Sequence, residues 1–193
     1  MITPSGIYSF VFSGTLAQHA VEQSLPQSTN NEALDIERIA KKMPLDFLDK
    51  QEVSAAKKMA SVYTAICAFE NSARKFIQDR LIETEGANWW TSAVPTSVRN
   101  EAETRKKQEE QIRWHGKRGS SMIFFTQLGD LVKILRNNSK AFENHIESID
   151  WAQQIFSSLE RSRNVIMHSG ELSMNDIERV SMNIRDWIRQ VGG

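Results

Sequence analysis

The longest uninterrupted pattern in the chain is the helical alternation of apolar and polar residues between residues 52 and 85. No glycine or proline occurs between residues 45 and 85, so no helix-breaking residue interrupts this stretch. When successive residues are rotated by 100°, the apolar side chains gather on one arc, which we expect to face a core. The arc comprises Met59, Val62, Tyr63, Ile66, Phe69, Ala73, Phe76 and Ile77.

Helical periodicity recurs along the rest of the chain, after a point near Gly86 where the long helix can end. Thr96 is a candidate cap for the first of the later helices, and Ser173 with Asp176 is a candidate cap for the last. The fold class that this pattern predicts is an all-α helical bundle. Its later helices are expected at residues 98–114, 125–135, 140–147, 149–167 and 174–191.

The first 48 residues have a different pattern. Residues 7–12 form an apolar run that suits one short strand, and residues 23–31 are polar and rich in turn-forming residues. We therefore expect an N-terminal extension over residues 1–48, which contains the strand, and a helical domain over residues 49–193.

The composition excludes several classes of protein. The chain has 193 residues and one cysteine, so it cannot form an internal disulfide, and a reducing compartment is expected. No apolar run is long enough to span a membrane, and residues 7–12 are too short for the core of a signal peptide. We therefore expect a cytoplasmic protein without a membrane partner.

The charge balance limits how the chain can bind nucleic acid. The 24 basic residues are matched by 24 acidic residues, so a broad basic footprint is disfavoured and any nucleic-acid site must be local. None of the four histidines has metal-ligand spacing, and neither a phosphate-binding glycine loop nor a hydrolase elbow occurs. We therefore expect no metal and no cofactor.

The strongest candidate chemistry lies at the end of the penultimate predicted helix. Helical rotation puts Arg163 about 40° from the centre of the apolar stripe, whereas Asn164 and His168 share the far side. A guanidinium beside a core stripe needs a partner, and Glu70, within the apolar arc of the long helix, is a candidate. Two interpretations of Glu70 remain open: a salt bridge with Arg74 one turn later, or a partly buried carboxylate that orients a catalytic base.

This arrangement resembles a known family. The sequence Arg163-Asn164-x-x-x-His168, in the penultimate helix of an all-α chain, resembles the HEPN superfamily (higher eukaryotes and prokaryotes nucleotide-binding). Several stretches are similar to the subfamily named after the nuclear messenger-RNA surveillance endoribonuclease Swt, and together they cover about residues 55–191. These stretches are residues 68–81, Trp89-Trp90 with Val94-Pro95, the charged run from Arg99, and residues 128–131, 163–172 and 185–187.

The resemblance implies an activity and a set of roles. In that superfamily the Arg-x4-His motif is the active site of metal-independent endoribonucleases, whose products carry 2′,3′-cyclic phosphate and 5′-hydroxyl ends. On this chain, His168 would be the general acid and base, and Arg163 would stabilise charge on the phosphoryl oxygens. Asn164 would position the phosphate or the imidazole, and Glu70 would support the site.

The resemblance also implies partners. An ideal helix directs Arg163 and His168 about 140° apart, so a distorted last turn or a homodimer with a composite cleft must bring them to one phosphate. RNA is the expected substrate, and an antitoxin or other protein partner is expected for a toxin-like or defence effector. The alternative function is a non-catalytic HEPN module that binds RNA, nucleotide or a protein partner.

A second group of residues offers candidate RNA contacts. Trp114 and His115 are followed by Lys117 and Arg118, so an aromatic pair adjoins two cations that can meet phosphate. Packing of the aromatic rings and solvation of the cations is the other interpretation. For the pair Trp89-Trp90, base stacking by one ring is the alternative, and packing is the favoured interpretation.

Overall fold

The helical pattern is present throughout residues 28–191, the part of the chain that the computed structural model describes. These residues contain α-helices and short 3-10 helices but no strand, which confirms the all-α prediction. The strand expected at residues 7–12 lies outside the described residues. The α-helices are α1 (Ser28–Lys42), α2 (Lys50–Glu85), α3 (Trp89–Ser92), α4 (Thr96–Glu110), α5 (Leu128–Asn137), α6 (Ser139–Phe142), α7 (Ile149–Met167) and α8 (Met174–Val191), and the 3-10 helices are Leu45–Phe47, Gly86–Asn88 and Met122–Phe125.

Helix α1 occupies residues that the sequence pattern assigns to a polar connector and an extension. The prediction of a polar connector over residues 23–31 is wrong from Ser28 onward, where α1 begins. Serine, threonine and asparagine are common in turns, but they also favour helix N-termini. Within α1, Lys41 pairs with Glu37 at 2.7 Å and supports the helix. The chain divides between Val53 and Ser54 into two units, and the boundary expected at residue 48 stays a prediction.

Helices α7 and α8 have the predicted bounds, whereas α4 differs from the prediction at both ends. Thr96 is the first helical residue rather than the cap, because Pro95 occupies the N-cap position with extended backbone. Helix α4 ends at Glu110 rather than at Trp114. Beyond this end, the carboxylate of Glu109 accepts the backbone N–H of Arg118.

The core that positions the site contains an aromatic cluster shared by three helices. Phe69 of α2 makes edge-to-face contacts with Phe156 of α7 and Trp187 of α8, with ring centroids 5.3 and 5.8 Å apart. The rings of Phe156 and Trp187 are 5.0 Å apart. Each such pair contributes about 1 kcal/mol beyond the burial of its area. The cluster therefore fixes α2, α7 and α8 to one another directly beside Glu70.

Candidate active site

Helix α7 ends at the histidine of the motif, as its sequence predicts. His168 is the C-cap residue with φ −99° and ψ 24°, and its backbone N–H donates to Asn164 O at 3.1 Å. Ser169 follows with φ +61°. The Ser169 N–H donates to Ile166 O at 3.0 Å, and the Gly170 N–H donates to Val165 O at 2.8 Å. These two bonds form a Schellman motif, which leaves the His168 side chain exposed at the end of the helix.

The two residues after His168 have separate roles in this turn. Ser169 takes the left-handed conformation that glycine usually takes. Gly170 is needed for a different reason, because a Cβ there would lie 2.8 Å from Val165 Cγ1 and 3.0 Å from Val165 O. The turn therefore combines a strained serine with a glycine that has no room for a side chain.

Arg163 and Glu70 are in contact, as their positions beside the two apolar stripes predict. The Oε2 atom of Glu70 lies 3.6 Å from Nε of Arg163. The Glu70 side chain is 8% exposed and the Arg163 side chain 28% exposed. A nearly buried carboxylate on α2 therefore holds an arginine on α7 that is still accessible to solvent.

Arg74 binds the other oxygen of the same carboxylate. Its Nη2 donates to Glu70 Oε1 and also to the backbone carbonyl of Thr126 at 2.9 Å, and its Nη1 donates to Asn71 Oδ1 at 2.9 Å. Burial lowers the pKa of the Arg74 guanidinium, and the Glu70 carboxylate opposes this shift. The predicted salt bridge between Glu70 and Arg74 is present, and the same carboxylate also pairs with Arg163. Orientation of a catalytic base by Glu70 stays a prediction.

Tyr63 and Cys67 extend this cluster along the same face of α2. Residues 63, 67, 70 and 74 follow helical spacing, so their side chains lie on one side of the helix. Burial raises the pKa of the Tyr63 phenol, the Cys67 thiol adds to the rise, and the nearby Arg163 guanidinium opposes it. Sequence reasoning assigned Tyr63 to the core arc and missed its position near Arg163, which its spacing from Glu70 could have indicated.

Asn164 and His168 lie on a different side of α7 from Arg163. Both side chains are exposed, and within residues 34–191 no hydrogen bond joins either of them to Arg163 or Glu70. The structure therefore brings Arg163 and Glu70 together within one protomer, whereas it leaves His168 facing solvent.

The candidate RNA contacts lie in the loop between α4 and the 3-10 helix Met122–Phe125. Trp114 is 86% exposed, and its ring makes an edge-to-face contact with His115 at a centroid distance of 5.7 Å. Lys117 is exposed, and Arg118 Nε lies 3.4 Å from Glu109 Oε2. The interpretation of Trp114 as a packed side chain is wrong, whereas Trp89 is buried as expected.

The described residues also bear on metal binding and membrane insertion. Within residues 34–191, no three His, Cys, Asp or Glu side chains are grouped as metal ligands would be. Every helix in the described part of the chain is too short or too polar to cross a lipid bilayer.

Comparison with known proteins identifies the helical part of the chain. The family described as Swt1-like HEPN matches residues 65–192, more than half of the chain. The matched range contains Glu70, Arg163, Asn164 and His168. Comparison with curated proteins and with solved structures gave no match. Since the match spans α2 to α8 and most of the chain, the protein belongs to the Swt1-like HEPN family.

Proposed function

We propose that this protein is a metal-independent endoribonuclease of the HEPN type, with Arg163, Asn164 and His168 as its catalytic residues and Glu70 as a positioning residue. Membership of the Swt1-like HEPN family supports this proposal. Its reaction is attack of a ribose 2′-hydroxyl on the adjacent phosphate, which gives a 2′,3′-cyclic phosphate and a 5′-hydroxyl end.

The observation that carries the proposal is the way Glu70 holds Arg163. Glu70 approaches Arg163 at Nε, and within the described side chains the two terminal amino groups of Arg163 make no hydrogen bond. A guanidinium held at Nε presents a planar fork of donors, which suits two oxygens of a phosphate. Arg163 is therefore positioned to stabilise the negative charge that develops on the phosphoryl oxygens.

The exposed imidazole of His168 suits the proton transfers of this reaction. An imidazole can accept and release a proton near neutral pH. As base, it takes the proton of the 2′-hydroxyl while the oxygen forms its bond to phosphorus. As acid, an imidazolium gives a proton to the departing 5′-oxygen. Asn164, one turn earlier on the same side, supplies an amide for hydrogen bonds to the phosphate or the imidazole.

In the proposed homodimer, Arg163 and His168 reach one phosphate from two protomers, which they do not do within a single protomer. Arg163 and His168 face different sides of α7, so the His168 of one protomer is proposed to act with the Arg163 of the other. Exposed apolar side chains around the end of α7 favour such an interface. They are Met167 and Met174, which are 56% and 69% exposed.

The exposed loop at Trp114 is proposed to contact the RNA outside the cleft. An exposed tryptophan ring can stack on a base without sequence preference. Lys117 and Arg118, which follow on the same loop, can contact backbone phosphates. Such a local arrangement is compatible with a net charge of zero.

Cleavage of RNA by purified protein in EDTA tests the proposal. We expect wild-type protein to give fragments with 2′,3′-cyclic phosphate ends, and His168→Ala and Arg163→Ala to lose at least about 100-fold in rate. Control variants are His145→Gln and Arg185→Ala, which remove the same side-chain types elsewhere on the domain. Equal rates for wild type, His168→Ala and Arg163→Ala would exclude the proposed active site.

Mixing the two inactive variants tests the composite cleft. A dimer with His168→Ala in one protomer and Arg163→Ala in the other keeps one intact pair only if the pair is formed between protomers. With free exchange of subunits, we expect the mixture to recover about one quarter of wild-type activity. A mixture that exchanges subunits and stays inactive would contradict the composite cleft.

A non-catalytic module that binds RNA is the second candidate function. The separation of Arg163 and His168 on α7 favours it, because a lone protomer has no assembled acid, base and anion site. In that case, wild-type protein would bind single-stranded RNA and leave it intact. Arg163→Ala would then weaken binding, while His168→Ala would have little effect.

A further inference from the structure

A polar groove lies between α7 and α8, on the opposite side of α7 from Arg163. Its volume is about 640 Å³. Hydroxyls, amides and arginines form most of its lining, with one carboxylate and two apolar side chains. The lining includes Gln154, Ser157, Ser158, Arg161, Ser162, Val165, Leu172, Asp176 and Arg179.

His168 lies on the face of α7 that forms one wall of the groove. Arg161 and His168 are seven residues apart, so they lie within about 20° of each other on the same face of α7, two turns apart. Val165, which lies between them on this face, also lines the groove. A ligand that reaches His168 along α7 would therefore pass Arg161.

Arg161 differs from the other arginines near the site. Arg163 pairs with Glu70, and Arg179 lies 2.9 Å from Asp176 Oδ1. Within the described side chains, no carboxylate lies within 4.0 Å of Arg161, which is exposed. It is therefore available for an anion.

The floor of the groove contains one hydrogen bond between the two helices and one within α7. Asn183 Nδ2 of α8 donates to Ser158 Oγ of α7 at 3.0 Å, and Ser162 Oγ donates to Ser158 O at 3.2 Å. Gln154 and Ser157, at the wall, make no side-chain hydrogen bond within residues 34–191. The groove therefore combines a fixed floor with available hydrogen-bonding groups.

We propose that this groove binds the RNA strand next to the scissile phosphate, with Arg161 on a neighbouring backbone phosphate and Gln154 and Ser157 on the sugar. The inference rests on the proposed function, since it gives the same site its substrate contacts. Asp176 in the groove is paired with Arg179, whereas Arg161 has no carboxylate partner among the described side chains. An unpaired arginine beside hydroxyls and amides matches a sugar-phosphate backbone, which offers both anionic oxygens and 2′-hydroxyls. Such a local site is compatible with RNA binding by a chain with no net charge.

Binding of a fluorescent, mixed-sequence single-stranded RNA to the His168→Ala protein tests the groove, because this variant is expected to leave the RNA uncut. Adding Arg161→Gln should weaken binding about tenfold, which is the effect of losing one charge-assisted hydrogen bond. It should also reduce the slope of log Kd against log salt concentration by about 0.7, because one phosphate contact is lost. The matched control is Arg185→Gln, which removes the same charge from the opposite side of α8 and should change neither quantity.

A second variant tests the wall of the groove without removing a charge. Gln154→Glu keeps the shape of an exposed side chain and adds a negative charge, so it should weaken RNA binding through repulsion of phosphate. Circular dichroism and thermal unfolding should match those of the parent protein. The proposal would be overturned if both groove variants bind RNA as tightly as the Arg185→Gln control does.

Cleavage separates this proposal from the proposed function. In otherwise wild-type protein, Arg161→Gln should raise KM and leave kcat within about twofold, because Arg161 contacts the strand and not the reacting atoms. Wild-type protein that binds RNA through Arg161 without cleaving it would support the groove and overturn the nuclease. Conversion of a dimer to a monomer by Arg161→Gln would overturn the groove proposal, since the groove would then be a subunit interface.

Discussion

Glu70 of α2 and Arg163 of α7 are joined by an ion pair in which Glu70 Oε2 lies 3.6 Å from Arg163 Nε. The second oxygen of the carboxylate binds Arg74, which also donates to the carbonyl of Thr126. The position of Arg163 is therefore set by a chain of contacts that begins at a backbone atom after the 3-10 helix Met122–Phe125. In the proposed nuclease, these contacts determine where the guanidinium meets the phosphate.

Glu70→Gln should lower kcat for RNA cleavage by about 10- to 100-fold, because Arg163 loses its charged partner and its fixed direction. KM should change less, because the charge on Arg163 remains available to RNA. Steady-state cleavage assays that separate kcat from KM measure this difference. The matched control is Glu83→Gln on the same helix, where an exposed carboxylate pairs with Arg80. Equal kcat values for the Glu70→Gln and Glu83→Gln proteins would exclude a positioning role.

Arg74→Met should destabilise the domain by about 3 kcal/mol. Arg74 is 12% exposed, and its removal leaves Glu70 with one fewer partner and the Thr126 carbonyl unpaired. Urea unfolding followed by circular dichroism measures the loss. The control is Arg136→Met, which breaks an exposed pair with Asp150 and should cost less than about 1 kcal/mol. Similar losses for the two variants would show that the buried arrangement contributes no more than a surface ion pair.

Ser169→Gly should stabilise the protein by about 1 kcal/mol, because φ of +61° strains every residue except glycine. Gly170→Ala should have the opposite effect, because its Cβ would meet Val165 at 2.8 Å. Thermal unfolding of the two variants measures both effects. Stabilisation by both substitutions, or by neither, would contradict the assigned roles of the two residues.

The parts of the fold that the sequence predicts well are those with a strong apolar stripe and a defined end. Helices α7 and α8 have both, and their observed bounds agree with the approximate ranges that the pattern predicts. The contact between Glu70 and Arg163 was also foreseeable, because each is a charged residue beside an apolar stripe and needs a partner. Helix α4 has only a sparse stripe, so nothing in its pattern indicates that it ends at Glu110 or that Glu109 binds the backbone N–H of Arg118.

Other features of the site depend on contacts that leave no pattern in the sequence. The carbonyl of Thr126 that binds Arg74 is 52 residues away along the chain, and a backbone acceptor carries no side-chain signal. The sequence also does not indicate the left-handed conformation of the residue after His168. Ser169 occupies the left-handed position that glycine usually takes, while the close approach of Val165 leaves no room for a Cβ at Gly170.

Trp114→Ala should weaken binding of single-stranded RNA by about tenfold and leave stability unchanged. The ring is 86% exposed, so its removal opens no cavity, whereas loss of one base stack costs about 1 to 3 kcal/mol. Fluorescence anisotropy and thermal unfolding measure the two effects. The control is Ile112→Ala in the same loop, where an exposed aliphatic side chain offers no stacking surface. Unchanged RNA affinity in the Trp114→Ala protein would remove this loop from the RNA-binding surface.

The stability of the domain should depend on pH through the buried carboxylate of Asp130. Burial raises the pKa of Asp130, but hydrogen bonds from the Gln127 N–H, Arg105 and Lys133 outweigh burial and hold it below its usual value. Arg105 Nη1 lies 2.8 Å from Asp130 Oδ2. Because the folded-state pKa is the lower one, the stabilisation is complete above the unfolded value of about 4. It is lost as the pH falls through the folded-state pKa.

Asp130→Asn should therefore lower the free energy of unfolding at pH 7 by about 3 kcal/mol, because Arg105 loses a buried partner. The difference between wild type and variant should shrink as the pH falls below about 4, because protonated Asp130 then resembles asparagine in charge. Urea unfolding at pH 7 and at pH 3 measures the two differences. Asp79→Asn, which alters an exposed pair with Lys75, should lie close to wild type at pH 7. If the free energies of unfolding of wild type and Asp130→Asn differ equally at both pH values, the contribution of Asp130 does not come from its charge.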